Sequence, residues 1–141
     1  MTLCDLVRQA LRMRPDRVVV GEVRGAEVVD LLVALNTGHE GGCGTLHANS
    51  ARDVPARLEA LAALAGLDRQ ALHSQLASGL RLAVHLARDR DSGRRRLTEV
   101  CVLERSADGL VGAEPAWSWD GRSSGGRPGP GTALLAELVG P

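Results

Sequence analysis

Three consecutive valines, Val18-Val19-Val20, are followed at once by Gly21 and Glu22. A short, β-branched, wholly apolar run predicts a strand buried on both faces of a parallel sheet, and open α/β sheets place ligands at the C-terminal ends of such strands. A carboxylate delivered there can hold water on Mg²⁺ or polarise an attacking water beside a nucleotide. The same pattern also closes many ordinary strands in solvent. A second group runs His39-Glu40-Gly41-Gly42-Cys43-Gly44-Thr45-Leu46-His47. Its glycines let backbone approach a phosphate closely, and Thr45 and His47 can contact a charged oxygen. Zinc is the rival ligand, since His39, Cys43 and His47 recur every four residues. The glycines oppose the helix that would align them, and Cys43 stands where the H-E-x-x-H pattern needs its second histidine.

Arginines surround both groups: Arg12, Arg14, Arg24, Arg52 and Arg57. The planar guanidinium suits phosphate or carboxylate, although in a chain whose every cation is arginine most are ordinary solvated residues. The run Arg94-Arg95-Arg96 lies beside Asp89 and Asp91 and reads as a locally neutralised loop. His73 and His85 fit surface or half-buried positions on an amphipathic helix and a strand and receive no role.

Local patterns supply elements to position these residues. Thr2 with Asp5 forms a helix start, Leu3, Leu6, Val7, Ala10 and Leu11 follow at helical spacing, and Pro15 stops the helix. After Gly25, apolar residues cover a wide helical face as far as Asn36. Thr45 to His47 is expected as a second short strand. Ser50 with Asp53 and Pro55 predicts another helix running to Gly66, and Asp68 caps a further one through Leu72, Leu76 and Leu80. From Arg81 the period changes to two, with Leu82, Val84 and Leu86 on one face, and a turn at Asp91-Ser92-Gly93 makes a β-hairpin ending near Glu104. The composition predicts residues 1–111 as the folded unit, a Gly/Pro-rich linker over 112–131, and a short apolar helix within 132–141.

Composition bounds the rest. The chain has 141 residues, 44% of them hydrophobic, and 17 basic residues balance 17 acidic ones, which predicts one soluble domain without broad attraction to nucleic acid. There is no lysine, and hence no phosphate loop of the G-x-x-x-x-G-K-[ST] type. Trp117 and Trp119 are the only aromatic rings apart from histidine, too few for a single-strand stacking platform. Cys4, Cys43 and Cys101, odd in number and far apart, read as reduced thiols of a cytoplasmic protein. Neither a secretory signal nor an apolar run of membrane-spanning length is present.

The stretch Leu11-Arg12-Met13-Arg14-Pro15-Asp16-Arg17-Val18-Val19-Val20-Gly21-Glu22-Val23-Arg24-Gly25, continued by Asn36-Thr37-Gly38-His39-Glu40 and by Gly44-Thr45-Leu46-His47-Ala48-Asn49-Ser50, resembles the secretion-superfamily ATPases of type II and type IV systems. The likeness is greatest to the tight-adherence (Flp) pilus assembly ATPases of high-GC actinobacteria. The first stretch looks like that family's Walker B box and the last like its His box. The resemblance implies an α/β fold, the C-terminal half of a RecA-like P-loop ATPase domain with an added β-hairpin. It implies Glu22 and His47 as catalytic residues, Glu22 acting on the Mg²⁺ shell or the water and His47 approaching the γ-phosphate. Arg14, Arg24, His39 and Thr45 are implied as support around the nucleotide.

The complete protein is expected to use ATP and Mg²⁺, to form a homo-hexameric ring, and to work with inner-membrane platform proteins of a pilus or secretion system, peripheral to the membrane's inner face. No direct nucleic-acid binding is expected. The family's phosphate loop, acidic box and N-terminal domain precede its Walker B strand. This chain is therefore expected to bind no nucleotide and to be inactive alone, with apolar strand edges left open and solubility poor. A non-catalytic module that docks on a full-length ATPase ring is the alternative.

Overall fold

The computed structural model of the chain describes residues 1–37, 41–122 and 125–140. Helix α1 (Leu3–Arg12) starts on the expected capping box: the Thr2 hydroxyl accepts the Asp5 amide at 3.2 Å, and the Asp5 carboxylate accepts the Thr2 amide at 2.7 Å. It ends in front of Pro15, with Arg14 in the left-handed region at φ 51°. Strand β1 (Val19–Val20) follows, then α2 (Glu27–Asn36) and β2 (Cys43–Gly44). β1 and β2 pair in parallel, Val19 opposite Cys43 and Val20 opposite Gly44. The second strand thus forms just ahead of the expected Thr45–His47.

The core is built on α2, which packs against α1, α3 (Val54–Leu64) and α4 (Arg69–Gly79). Val28, Leu32 and Ala34 of α2 are fully buried, as are Leu58 and Leu61 of α3 and Leu72 and Leu76 of α4. Each such leucine contributes roughly 1.5–3 kcal/mol of burial. Gly44 has its own reason: a Cβ there would stand 2.8 Å from Leu31 Cδ2, so glycine lets β2 close onto α2. The Asp68 cap of α4 is present, its carboxylate accepting the Ala71 amide at 2.9 Å. At α3 the Ser50 hydroxyl instead donates to the Asp53 carboxylate, and Asp53 makes no capping bond of its own.

The hairpin of β3 (Leu82–Arg88) and β4 (Arg95–Arg105) is present and is half of a larger sheet. β5 (Val111–Ser118) pairs antiparallel with β4, and β6 (Arg127–Pro128) with β5, giving the order β3-β4-β5-β6. This corrects the linker expected over 112–131. Gly112 and Pro115 obscure the strand in the sequence, but the register of β4 and β5 shifts beside Pro115, between Val100 and Cys101, an irregularity of the kind that accommodates proline. The glycines after it serve close packing, since a Cβ on Gly126 would fall on the Trp117 indole and one on Gly129 on the Pro115 carbonyl. Helix α5 (Thr132–Val139) forms where expected and packs on β5, the Thr132 hydroxyl donating to the Ala116 carbonyl at 2.7 Å.

Two burial expectations change. Val18 and Val20 are buried, but Val19 is 70% exposed, so β1 is covered on one face only. His73, read from the sequence as surface or half-buried, is 1% exposed and joins three elements. Its Nδ1 accepts the Val111 amide of β5 at 2.8 Å, which places the ring proton on Nε2, donating to Glu59 of α3 at 2.8 Å. Arg69 closes the group on Glu59 at 3.1 Å.

Candidate functional site

The ladder between β1 and β2 continues past both strands and brings their outgoing segments together. The Thr45 amide donates to the Val20 carbonyl at 3.2 Å, the Val23 amide to the Thr45 carbonyl at 2.7 Å, and the Thr45 hydroxyl to the Gly21 carbonyl. Glu22 therefore leaves one strand beside His47, which leaves the other. The turn after Glu22 is shaped by Glu27 in the first turn of α2, whose Oε1 accepts the Arg24 amide at 2.6 Å and the Gly25 amide at 2.9 Å. The Arg24 amide foremost holds the Glu27 carboxyl below the usual carboxylate range against partial burial, with smaller help from the amides of Glu27 itself and Gly25. Sequence reasoning passed over Glu27; an acid placed just after a glycine turn, in the first helical turn, is the pattern that could have marked it.

Glu22 stands between a guanidinium and an imidazole. Its Oε2 accepts from Arg24 Nη2 at 2.6 Å, and its Oε1 lies 2.9 Å from His47 Nε2. The histidine contact is close without being an aligned hydrogen bond: Oε1 is buried and has no hydrogen-bond partner among the described residues. Arg24 holds the Glu22 carboxyl below its ordinary range, partial burial opposes this, and His47 adds a smaller lowering influence. Glu22 is thus ionised at neutral pH, with one oxygen fixed by a guanidinium and the other turned to an exposed imidazole. Gly21 adds nothing that fills the space, since a Cβ there would meet no atom within 4 Å.

Of the other residues singled out in the sequence, Thr45 and Arg24 are in this group. Arg14 and Arg12 are exposed at the end of α1, and no hydrogen bond or ion pair ties either to Glu22 among the described residues. His39, with Gly38 and Glu40, lies outside the described residues. Among the described residues no three His, Cys, Asp or Glu side chains cluster as a metal cage. A Mg²⁺ ion that keeps most of its waters and rests on one carboxylate and substrate phosphates needs no such cage. An ionised Glu22 whose buried Oε1 lacks a hydrogen bond fits that chemistry.

Known proteins carry the same arrangement of sequence. The family described as Type II/IV secretion system protein matches residues 1–119. A Mycobacterium tuberculosis protein named for conjugal transfer is 68% identical over 120 residues, 85% of this chain and 34% of its own length. The conjugal transfer protein TrbB of Rhizobium radiobacter is 41% identical over 103 residues, 72% of this chain and 30% of its own. The chain spans about a third of the length of these curated relatives. Among solved structures, the VirB11 ATPase of the Brucella suis type IV secretion system, crystallised with sulphate, superposes with a TM-score of 0.64 and 27% identity, covering 72% of this chain and 32% of that one. The α/β fold is accordingly that of a RecA-like secretion ATPase, and the chain belongs to the type II/IV secretion system protein family.

Proposed function

We propose that this chain is the C-terminal part of a hexameric ATPase that powers pilus assembly or type II/IV secretion, and that Glu22 and His47 form the hydrolytic edge of its nucleotide site. The observation that carries the reading is the Glu22 carboxylate at the C-terminal end of β1, ionised, with Oε1 buried, lacking a hydrogen bond and 2.9 Å from His47 Nε2. Glu22 would hold the water shell of magnesium and orient the attacking water. His47, 85% exposed on its side chain, is free to reach toward the γ-phosphate. Thr45 fixes the loop that carries it, and Arg24 keeps Glu22 charged. Arg14 and His39 are proposed as nucleotide-region support. Magnesium, when bound with ATP, neutralises charge developing between the β- and γ-phosphates.

The chain has no lysine, so the phosphate-gripping loop must come from elsewhere, and hydrolysis by this chain alone is not expected. In the complete protein the partners are further copies of itself in a ring and the inner-membrane platform of a pilus or secretion system, with the protein cytoplasmic and held to the membrane's inner face through them. The names of the relatives extend the choice of cargo to conjugal transfer.

The test is a fusion in which the part of the M. tuberculosis relative that precedes its matched segment is placed before Met1. In that protein His47→Ala is expected to lower kcat for ATP about 100-fold with little change in KM, the pattern of an interaction made in the transition state. A rise in KM at unchanged kcat would assign His47 to binding instead. One feature favours the second reading, a module docking on an intact ring: Val19, Val84 and Leu86 are broadly exposed apolar side chains. Co-purification of this chain with an intact homologue, undiminished in its Glu22→Gln form, supports that module.

A further inference from the structure

We propose that Glu99, on the hairpin strand β4, is a positioning residue for His47. His47 sits on a segment clamped at both ends. Upstream, Thr45 is bonded to Val20, Gly21 and Val23 along β1. Downstream, the Ala51 amide donates to Glu99 Oε2 at 2.7 Å, and Arg52 Nε pairs with Glu99 Oε1 at 3.2 Å. Ala51 is fully buried, and the Glu99 side chain is 14% exposed. Between the clamps, no backbone–backbone hydrogen bond holds the amides of residues 46–49 among the described residues. Within that stretch Leu46 is partly buried against the core and the His47 ring meets Glu22.

A charged acceptor on a buried amide is a strong tether, because the amide has no water to return to when the acceptor is lost. The hairpin thereby does more than extend the sheet. It fixes the far end of the segment whose near end is fixed by β1, and so limits where the His47 imidazole can stand relative to Glu22. The significance of that placement rests on the role proposed above for His47; the tether itself does not.

The experiment is NMR on the full 141-residue chain without nucleotide, following the Ala51 amide and the four histidine ring resonances, in Glu99→Ala, Glu99→Gln and Arg52→Ala. In Glu99→Ala, Ala51 exchange is expected to rise about tenfold or more and the His47 ring resonance to shift and broaden, with His73 unchanged as the control, since His85 lies directly opposite Glu99 on β3 and senses the substitution itself. Glu99→Gln retains an acceptor oxygen and is expected to restore most of both. Arg52→Ala, which spares the amide bond, leaves His47 in place and covers the case in which Glu99→Ala fails to fold. A folded Glu99→Ala with an unmoved His47 resonance would overturn the proposal, as would a His47 resonance that moves equally in Arg52→Ala. A purely structural Glu99 lowers stability without moving His47. Because no nucleotide enters, failure here is separate from failure of the hydrolytic role.

Discussion

Glu22 is held in its charged form by one exposed cation, Arg24, and meets the His47 imidazole through an oxygen that lacks a hydrogen-bond partner. The Glu22–Arg24 pair contributes little to folding because Arg24 is 74% exposed, so its value lies in fixing charge and direction. Elsewhere single residues depart from what stability alone would choose. Arg14 occupies a left-handed conformation that suits glycine. Arg14→Gly is expected to raise stability by about 0.5–1 kcal/mol in a urea titration, while removing a guanidinium proposed to serve the nucleotide. The thiols differ as well: burial pushes Cys101 up to about 11, whereas Cys43 is exposed. A disulfide-exchange reagent at about pH 8 should label Cys43 in the folded chain and Cys101 only on unfolding. At this scale an acid ending a valine strand was legible, since strand and carboxylate are contiguous. Glu27 and Glu99 were not, because their partners are backbone amides presented by turns, in the case of Glu99 48 positions away.

Among the elements, the junction at His73 ties α3, α4 and β5 together. His73→Ala would remove a buried ring and strand the Val111 amide, at a cost of roughly 2–4 kcal/mol in chemical denaturation. Glu59, the other end of that junction, has its carboxyl held below the ordinary range, first by the His73 hydrogen bond and then, against burial, by Arg69. A carboxyl lowered on folding contributes stability that is whole above its unfolded value, about 4.3, and is lost as pH falls through the lower folded value. The denaturation midpoint is therefore expected to fall steeply below about pH 4.3, and Glu59→Gln should flatten that dependence. The helices were readable because caps and 3.6-residue periodicity are local. β5 was not, since Gly112 and Pro115 break the strand pattern that β4 and the register shift beside Pro115 accommodate. The face of the hairpin was equally unreadable: Ala83 is in the core while the larger apolar Leu82, Val84 and Leu86 are exposed, the reverse of what hydrophobicity predicts.

Across the whole molecule, the two sheets differ in completeness. β1 and β2 pair only with each other among the described residues, and Val19 is open, whereas the antiparallel sheet has four strands but leaves Val84 and Leu86 in solvent. Exposed apolar side chains and short open edges favour self-association. The chain alone is expected to form oligomers by light scattering at micromolar concentration, and Val84→Thr with Leu86→Thr should reduce them. A monomer that melts sharply and reversibly would contradict this. The α/β class was legible through the family resemblance carried by two short stretches, and those stretches fold together at the ends of β1 and β2. The measurement that bears most directly on the account is ATP turnover by the fusion with the M. tuberculosis relative, compared with its Glu22→Gln form. A loss of about 100-fold or more in kcat, with nucleotide still bound, is the result predicted for a carboxylate that orients the hydrolytic water. Unchanged turnover in Glu22→Gln would contradict it.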